Sequence, residues 1–447
     1  MAIEMLESVF LSLFTLTLIG CVAAKLPILY ALIVGYLIFS VYARLRQYSV
    51  PAILKMSAAG IRTAKNVLMT FVLIGMLTAL WRAAGTIPTI VCHAADYIRP
   101  SVFLLMSFLL NCLVSFLTGT AFGTAATMGV ICMTTMARTM GVDPVWAGGA
   151  VLSGAYFGDR CSPISTSALL ISELTGTNIF QNIRGMTRTA ALPFLMSCAI
   201  YAAVGVSSAP SGSGSSAQVQ QTLSPAFRLG LLTLLPALLI LVLSVLHLNI
   251  RLTMLSSIGA ALFICLFYQK MDALSVLRLL VAGYHSSDPQ VAALMDGGGI
   301  LSMVNVAAIV TISSSYAGIF RETGLLDGLK GKIGVLRRRY SLYTVVFWAS
   351  IAANVIICSQ TAAIMLVHQT CGFPEDDGPT FAIALEDTVV VIAPLIPWSI
   401  AGTVPLASAS APIGSLLTSC YLYLIPLWGL FAQSYRRKQA LRAVRPH

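Results

Sequence analysis

Apolar runs long enough to cross a bilayer, separated by short polar joints, recur from one end of the chain to the other. The runs are continuous and do not alternate residue by residue, so they predict α-helices and exclude a barrel of two-faced strands. Runs at 6–22 and 26–43 predict an opening helical pair. Arg44, Arg46, Lys55, Arg62 and Lys65 then decorate an amphipathic joint ahead of a third span at 66–81. A span at 101–117 stops at Thr118-Gly119-Thr120-Ala121-Phe122-Gly123-Thr124, too rich in Gly and Thr for a plain helix interior. Apolar pieces at 125–140 and 146–157 lead to Gly154–Ser167, GAYFGDRCSPISTS, and a span at 187–206 closes the first half. Within GAYFGDRCSPISTS, Gly158 and Pro163 flank Asp159 and predict that the helix unwinds around the carboxylate, freeing carbonyls beside it.

Residues 207–222 carry no charge, are rich in Ser, Gly and Ala, and read as a flexible external linker. After it the order of parts recurs: a pair at 229–246 and 252–268, an amphipathic segment at 272–284, and spans at 300–320 and 342–358. Local echoes support a duplication. Leu80-Trp81-Arg82-Ala83-Ala84-Gly85 parallels Ile319-Phe320-Arg321-Glu322-Thr323-Gly324, Thr118–Thr124 parallels Ser359-Gln360-Thr361-Ala362, and Ser162-Pro163-Ile164 parallels Ala393-Pro394-Leu395. The basic joints are swapped between the halves, with the early joint basic in half one and Lys330, Lys332, Arg337, Arg338 and Arg339 crowding the later joint of half two. The positive-inside rule then inverts one half relative to the other and puts both termini in the cytoplasm. The predicted fold is an all-α polytopic membrane protein of two inverted-topology repeats, 1–206 and 223–430, whose broken or re-entrant helices meet near the bilayer midplane. A basic cytoplasmic tail occupies 431–447.

Composition agrees. With 57% hydrophobic residues, 10% charged and a mean hydropathy of +0.88, the chain is no ordinary soluble globule. The first run follows Glu4 and Glu7 without a basic flank or small-residue cleavage site, and reads as a retained helix. The net charge of +11 sits in joints and the tail, as topogenic signals do, and gives no reason to expect nucleic acid. Ten cysteines scattered singly and five histidines without paired spacing suggest no metal site or cofactor. No Ser/His/Asp or HExxH arrangement suggests an enzyme, and no filter-like repeat suggests a channel.

The sixteen acidic residues can be audited completely. Most fall in joints or at chain ends; Asp159, Glu173, Asp296, Glu386 and Asp387 lie near apolar depth, where a charge persists only beside a cavity, a partner or an ion. Asp159 is the leading candidate, with Ser162, Ser165, Thr166 and Ser167 close by and Arg160 adjacent. The plainer alternative is a local ion pair with Arg160 pinning the helix break. Glu386-Asp387-Thr388 opens the second candidate element, which ends in Ala393-Pro394-Leu395-Ile396-Pro397-Trp398. Two adjacent carboxylates do not both ionise easily in low dielectric, which suits exchange of a cation for a proton; the plainer alternative is a carboxylate pair at a helix start. Thr118, Thr120, Thr124, Gln360 and Thr361 supply neutral oxygens at the breaks, although such hydroxyls often bond their own backbone. Glu173 reads as facing water and Asp296 as a helix entry. Arg160 could instead hold an organic anion.

At GAYFGDRCSPIS, at the Thr118–Thr124 segment and at Leu385-Glu386-Asp387-Thr388 with Ala393–Trp398, the chain resembles the NhaC-type sodium/proton antiporters of the ion-transporter superfamily, over most of its length. The resemblance implies a bacterial inner-membrane antiporter moving Na⁺ (or Li⁺) against H⁺, with relatives that exchange organic acids such as malate and lactate. Its partners would be membrane lipid, small cations or a small organic acid or amino acid, and a second copy of the chain in a homodimer. The transported Na⁺ and H⁺ would compete at Asp159 and Asp387, supported by Glu386. One departure stands out: many members continue Ser-Pro-x-Ser with Asp-Thr-Thr, whereas here Ser165 is followed by Thr166 and Ser167, so one potential cation-binding carboxylate is missing.

Overall fold

A computed structural model of the chain describes residues 2–24, 26–97, 99–133, 141–163, 165–208, 221–246, 248, 250–324, 340–372 and 377–443. The described elements are helical, joined once by an isolated antiparallel bridge between Tyr284 and Gly297. In chain order they are α1 (Ala2–Ala23), α2 (Ile28–Leu45), α3 (Val50–Ala83), α4 (Thr86–Tyr97) and α5 (Pro100–Thr118). Helix α6 (Ala121–Met133) follows. Then come α7 (Pro144–Cys161), α8 (Thr166–Thr175), α9 (Ile179–Ser207), α10 (Leu235–Val245), α11 (Ile250–Phe263), α12 (Ala273–Ala282) and α13 (Pro289–Met295). The chain ends with α14 (Val304–Thr323), α15 (Leu342–Ile356), α16 (Gln360–Cys371), α17 (Gly378–Glu386), α18 (Val389–Ile392), α19 (Ile400–Ser408) and α20 (Cys420–Ala443). Among the described residues, eight helical stretches are long and apolar enough to cross a membrane. The protein is an all-α, multi-pass membrane protein, and its outward-facing Leu16, Leu195 and Trp348 offer an apolar surface to lipid.

Two boundaries differ from the sequence expectation. The basic amphipathic joint and the third span are one continuous helix, α3, 34 residues long. Ser49 caps it, Pro51 lies in its first turn where a missing N–H costs nothing, and no later proline interrupts it. Ile53, Ser57, Gly60 and Ala64 are buried while Lys55, Arg62 and Lys65 are exposed, so the amphipathic stretch is simply the first half of the helix. Helix α9 starts at Ile179, ahead of the apolar run at 187–206, because Asn178 caps it by accepting from the Phe180 N–H at 2.9 Å. The linker segment 209–220, the basic joint 325–339 and Glu375 and Asp376 lie outside the described residues.

Glycines set the closest helix contacts. Gly154 and Gly158, four residues apart on α7, face α5, where a Cβ on Gly158 would overlap the backbone of Ser115 and Phe116. The Ser115 hydroxyl crosses the same contact to donate to the Ala155 carbonyl. Gly60 on α3 and Gly318 on α14 bring those helices together in the same way, against the backbone of Ser314 and Met56. Gly158 thus serves close packing within a helix, not the unwinding that the sequence suggested.

The interruptions fall at four places. Gly119, with φ of 64°, ends α5, and extended Thr120 starts α6 by accepting from the Gly123 N–H. Residues 162–165 separate α7 from α8, and extended Ile357 and Ser359 separate α15 from α16. The fourth element breaks after Glu386 and again over 396–399, between α17 and α19.

Candidate functional site

The α7 interruption explains the local structure of Asp159. Proline has no N–H, so Pro163 cannot make the helical bond back to the Asp159 carbonyl, and its ring pushes Ser162 to an extended conformation, φ −84° and ψ 136°. The orphaned carbonyl takes two side-chain donors, the hydroxyls of Ser165 and Ser167, the latter at 2.8 Å. Asp159 itself therefore stays inside the last turn of α7, and the chain breaks after it. This corrects the expectation of an unwound aspartate.

Asp159 is 6% exposed. Ser167 donates to Oδ2 at 3.2 Å, Ser165 lies 3.4 Å from Oδ1, and the Gln360 amide reaches Oδ2 at 3.5 Å from the start of α16. The backbone N–H of Ala121, first in α6, also points at the carboxylate. Three interrupted elements thus converge on one carboxylate with neutral donors, and among the described residues no cationic side chain pairs with it. Asp159 lines a cavity of about 730 Å³ together with Thr120, Thr166, Gln360 and Thr361.

Arg160 points elsewhere. Consecutive side chains on a helix diverge, and the fully buried guanidinium pairs with Asp387, a residue far away in sequence, not with Asp159. Its Nη2 also donates to Thr189 Oγ1 at 2.9 Å, and Thr189 donates to Asp387 Oδ1 at 3.1 Å, so α7, α9 and the α17–α18 joint share one buried network. The expected local pair is replaced by a long-range one. Glu386 is fully buried, and neither of its carboxyl oxygens has a hydrogen-bond partner among the described residues, although it lies within electrostatic reach of Arg160, Asp159 and Asp387.

The other predicted oxygens divide. Thr120, Thr166, Gln360 and Thr361 reach the cavity, and Ser165 holds Asp159 from behind. Thr124 donates to the Thr120 carbonyl at 2.9 Å and sits 3.3 Å from Thr118. Thr388 donates to the Ala384 carbonyl at 2.6 Å and accepts from Ser350, and Ser162 is buried behind the break. None of these four is among the residues lining the cavity, nor are Glu386 and Asp387. Glu173 is exposed, and Asp296, read as a helix entry, instead ends α13, where it accepts from the Ser286 N–H and lies 3.2 Å from His285 Nδ1. Sequence reasoning missed Thr189, and also Thr63, Ser313 and Ser314, which α3 and α14 contribute to the cavity wall. Tyr156, one turn before Asp159 and also on the wall, donates to the Ala401 carbonyl at 2.7 Å; its place in GAYFGD was a signal that could have been used. Among the described residues no group of three or more His, Cys, Asp or Glu gathers as a metal site, and no disulfide is formed.

A multi-pass helical body with interrupted helices around a cavity that holds a buried carboxylate is the construction of a secondary transporter for cations or small solutes. Sequence comparison places the chain within that class. The profile of the Na⁺/H⁺ antiporter family matches residues 8–173 and 154–429, two stretches that overlap across GAYFGDRCSPISTS, and the chain belongs to this family. It is 26% identical over 398 residues to the Na⁺/H⁺ antiporter NhaC of Alkalihalophilus pseudofirmus, covering 86% of this chain and 85% of the relative. It is 27% identical over 306 residues to the malate-2H⁺/Na⁺-lactate antiporter of Bacillus subtilis, covering 67% and 65%. It is also 27% identical over 360 residues to the arginine/ornithine antiporter ArcD of Halobacterium salinarum, covering 77% and 73%.

Proposed function

We propose that the protein is an NhaC-type antiporter of a bacterial plasma membrane that exchanges Na⁺ (or Li⁺) for H⁺ at Asp159. The observation that carries this reading is a buried carboxylate on a cavity wall, held by neutral donors and, among the described residues, without a cationic partner. Hard oxygen ligands suit an alkali cation, and Thr120, Thr166 and Thr361 lie on the same wall to supply them. A proton on Asp159 removes the charge that the cation needs. A carrier that reorients only with one or the other bound must therefore exchange them. Glu386, buried and without a hydrogen-bond partner among the described residues, is the second carboxyl available to carry a proton, while Asp387 with Arg160 fixes the frame around both.

In this proposal the two halves are inverted repeats, with both termini cytoplasmic and the interrupted helices rocking about the site. Support comes from the repeated order of helix, break and helix, at 119–120 and 162–165 in one half and at 357–359 and 396–399 in the other. The swapped basic joints support it as well. The relatives that exchange malate and lactate or arginine and ornithine make organic cargo the second reading. For an organic acid it meets an obstacle, since Arg160, the cation expected to hold a carboxylate, is already engaged by Asp387. The test is ²²Na⁺ uptake driven by a pH gradient into liposomes holding the purified protein. Saturable uptake that collapses with the gradient supports exchange, and uptake indifferent to the gradient refutes it.

A further inference from the structure

We infer that the Asp159 cavity also accepts a small organic monocation, an alkylammonium or alkylguanidinium without a carboxylate, in competition with Na⁺. The inference rests on the exchange reading and extends it to a substrate class.

Size is the first argument. A cavity of about 730 Å³ falls within the range of roughly 300–1,000 Å³ typical of small-molecule pockets, far more than one alkali ion fills. Charge is the second. Asp159 is the only charged side chain among the described lining residues; the rest of the wall is hydroxyl, amide and apolar. An anionic cargo would face a buried carboxylate with no counter-cation among the described residues, because Arg160 is spent on Asp387 and Thr189. Two of the neighbouring helix starts are capped, since Ser165 accepts from the Ala168 N–H and Ser399 accepts from the Ala401 N–H, and at a third the Ala121 N–H points at Asp159. The start of α16 carries no side-chain cap, and its Gln360 side-chain amide is shared between Asp159 and the Val390 carbonyl.

The shape of the lining supplies the third argument. Val67, Phe122 and Met365 give the wall an apolar stretch that a hydrated ion leaves unused. An organic cation would set its charged end against Asp159 and the hydroxyls of Thr120 and Thr361, and lay its methylenes on that stretch.

The probe is n-propylguanidinium, which stays charged and so does not dissipate a pH gradient. In liposomes holding the full chain, it should raise the apparent KM for Na⁺ about tenfold at unchanged maximal rate, as a competitor for the same site does. Labelled probe should itself accumulate under the pH gradient. Val67→Phe, which narrows the apolar stretch, should weaken competition by the probe by a larger factor than it changes the KM for Na⁺ itself. Arginine, which adds a carboxylate to the same head group, should compete less well, and malate and lactate should show no counterflow. Robust Na⁺ exchange that the probe does not touch would overturn the inference while leaving the exchange reading intact. Stronger competition by arginine than by propylguanidinium, or saturable malate counterflow, would overturn it too. Absence of gradient-driven Na⁺ uptake would instead overturn the exchange reading itself.

Discussion

Arg160 and Asp387 form a fully buried ion pair that fastens the last turn of α7 to the α17–α18 joint, with Thr189 of α9 hydrogen-bonded to both. Asp159, the neighbour of Arg160 in sequence, faces the cavity and takes only neutral donors. Two adjacent residues of one helical turn thus divide the work, Arg160 in a charge pair that holds the structure and Asp159 as a carboxylate left available to a ligand.

Removing one member of a buried pair leaves the other charge without compensation, which costs about 3–5 kcal/mol, whereas replacing both with apolar groups is often close to neutral. Asp387→Leu alone and Arg160→Met alone should each lower the thermal midpoint of the purified protein sharply. The double substitution should recover most of the loss. Thermal unfolding of the four proteins of this cycle checks the prediction, and additive losses would show that the pair does not act as a unit.

Gly158→Ala should destabilise the protein by about 1–3 kcal/mol or prevent its accumulation, since the new methyl meets the backbone of Ser115 and Phe116, which cannot rotate away. Gly176→Ala is the contrasting control. It adds a methyl where nothing lies within 4 Å, and the cost there is conformational, at φ +63°. The yield of monodisperse protein after detergent extraction distinguishes them, with the larger loss expected at Gly158.

Much of this was readable before any coordinates. Carboxylates are rare in the apolar runs, so Asp159, Glu386 and Asp387 declared themselves by depth alone, and all three are buried. The Gly119 and Pro163 interruptions followed from local backbone chemistry. Partner choice did not, because local spacing carries no record of which distant helix faces Arg160. The contributions of Thr63, Ser313 and Ser314 were hidden for a related reason. They sit on α3 and α14, which meet through Gly60 and Gly318, and that contact depends on how two whole helices cross. The Gly154 and Gly158 spacing was a usable packing signal that proximity to Pro163 obscured.

Ser165 and Ser167 do two things at once: they satisfy the carbonyl that Pro163 orphans and they orient the Asp159 carboxylate. Converting both to Ala should raise the apparent KM for Na⁺ several-fold, up to about tenfold, with a smaller effect on maximal rate, because hydrogen bonds to a charged group contribute about 1.5–3 kcal/mol each in favourable cases. Ser165→Thr, which keeps the hydroxyl, should retain more of the affinity than Ser165→Ala. Initial rates of Na⁺-dependent proton flux against Na⁺ concentration separate the two effects, and an unchanged KM in the double Ala variant would exclude the orienting role.

The account rests most heavily on Asp159, and the most direct measurement compares wild type with Asp159→Asn, an exchange of similar shape that removes the charge. Both proteins are reconstituted at equal density, checked for equal thermal stability, and followed for ²²Na⁺ uptake under an imposed pH gradient. The expected result is saturable uptake by wild type and uptake at the level of empty liposomes by Asp159→Asn. Near-normal exchange by a correctly folded Asp159→Asn protein would contradict the account.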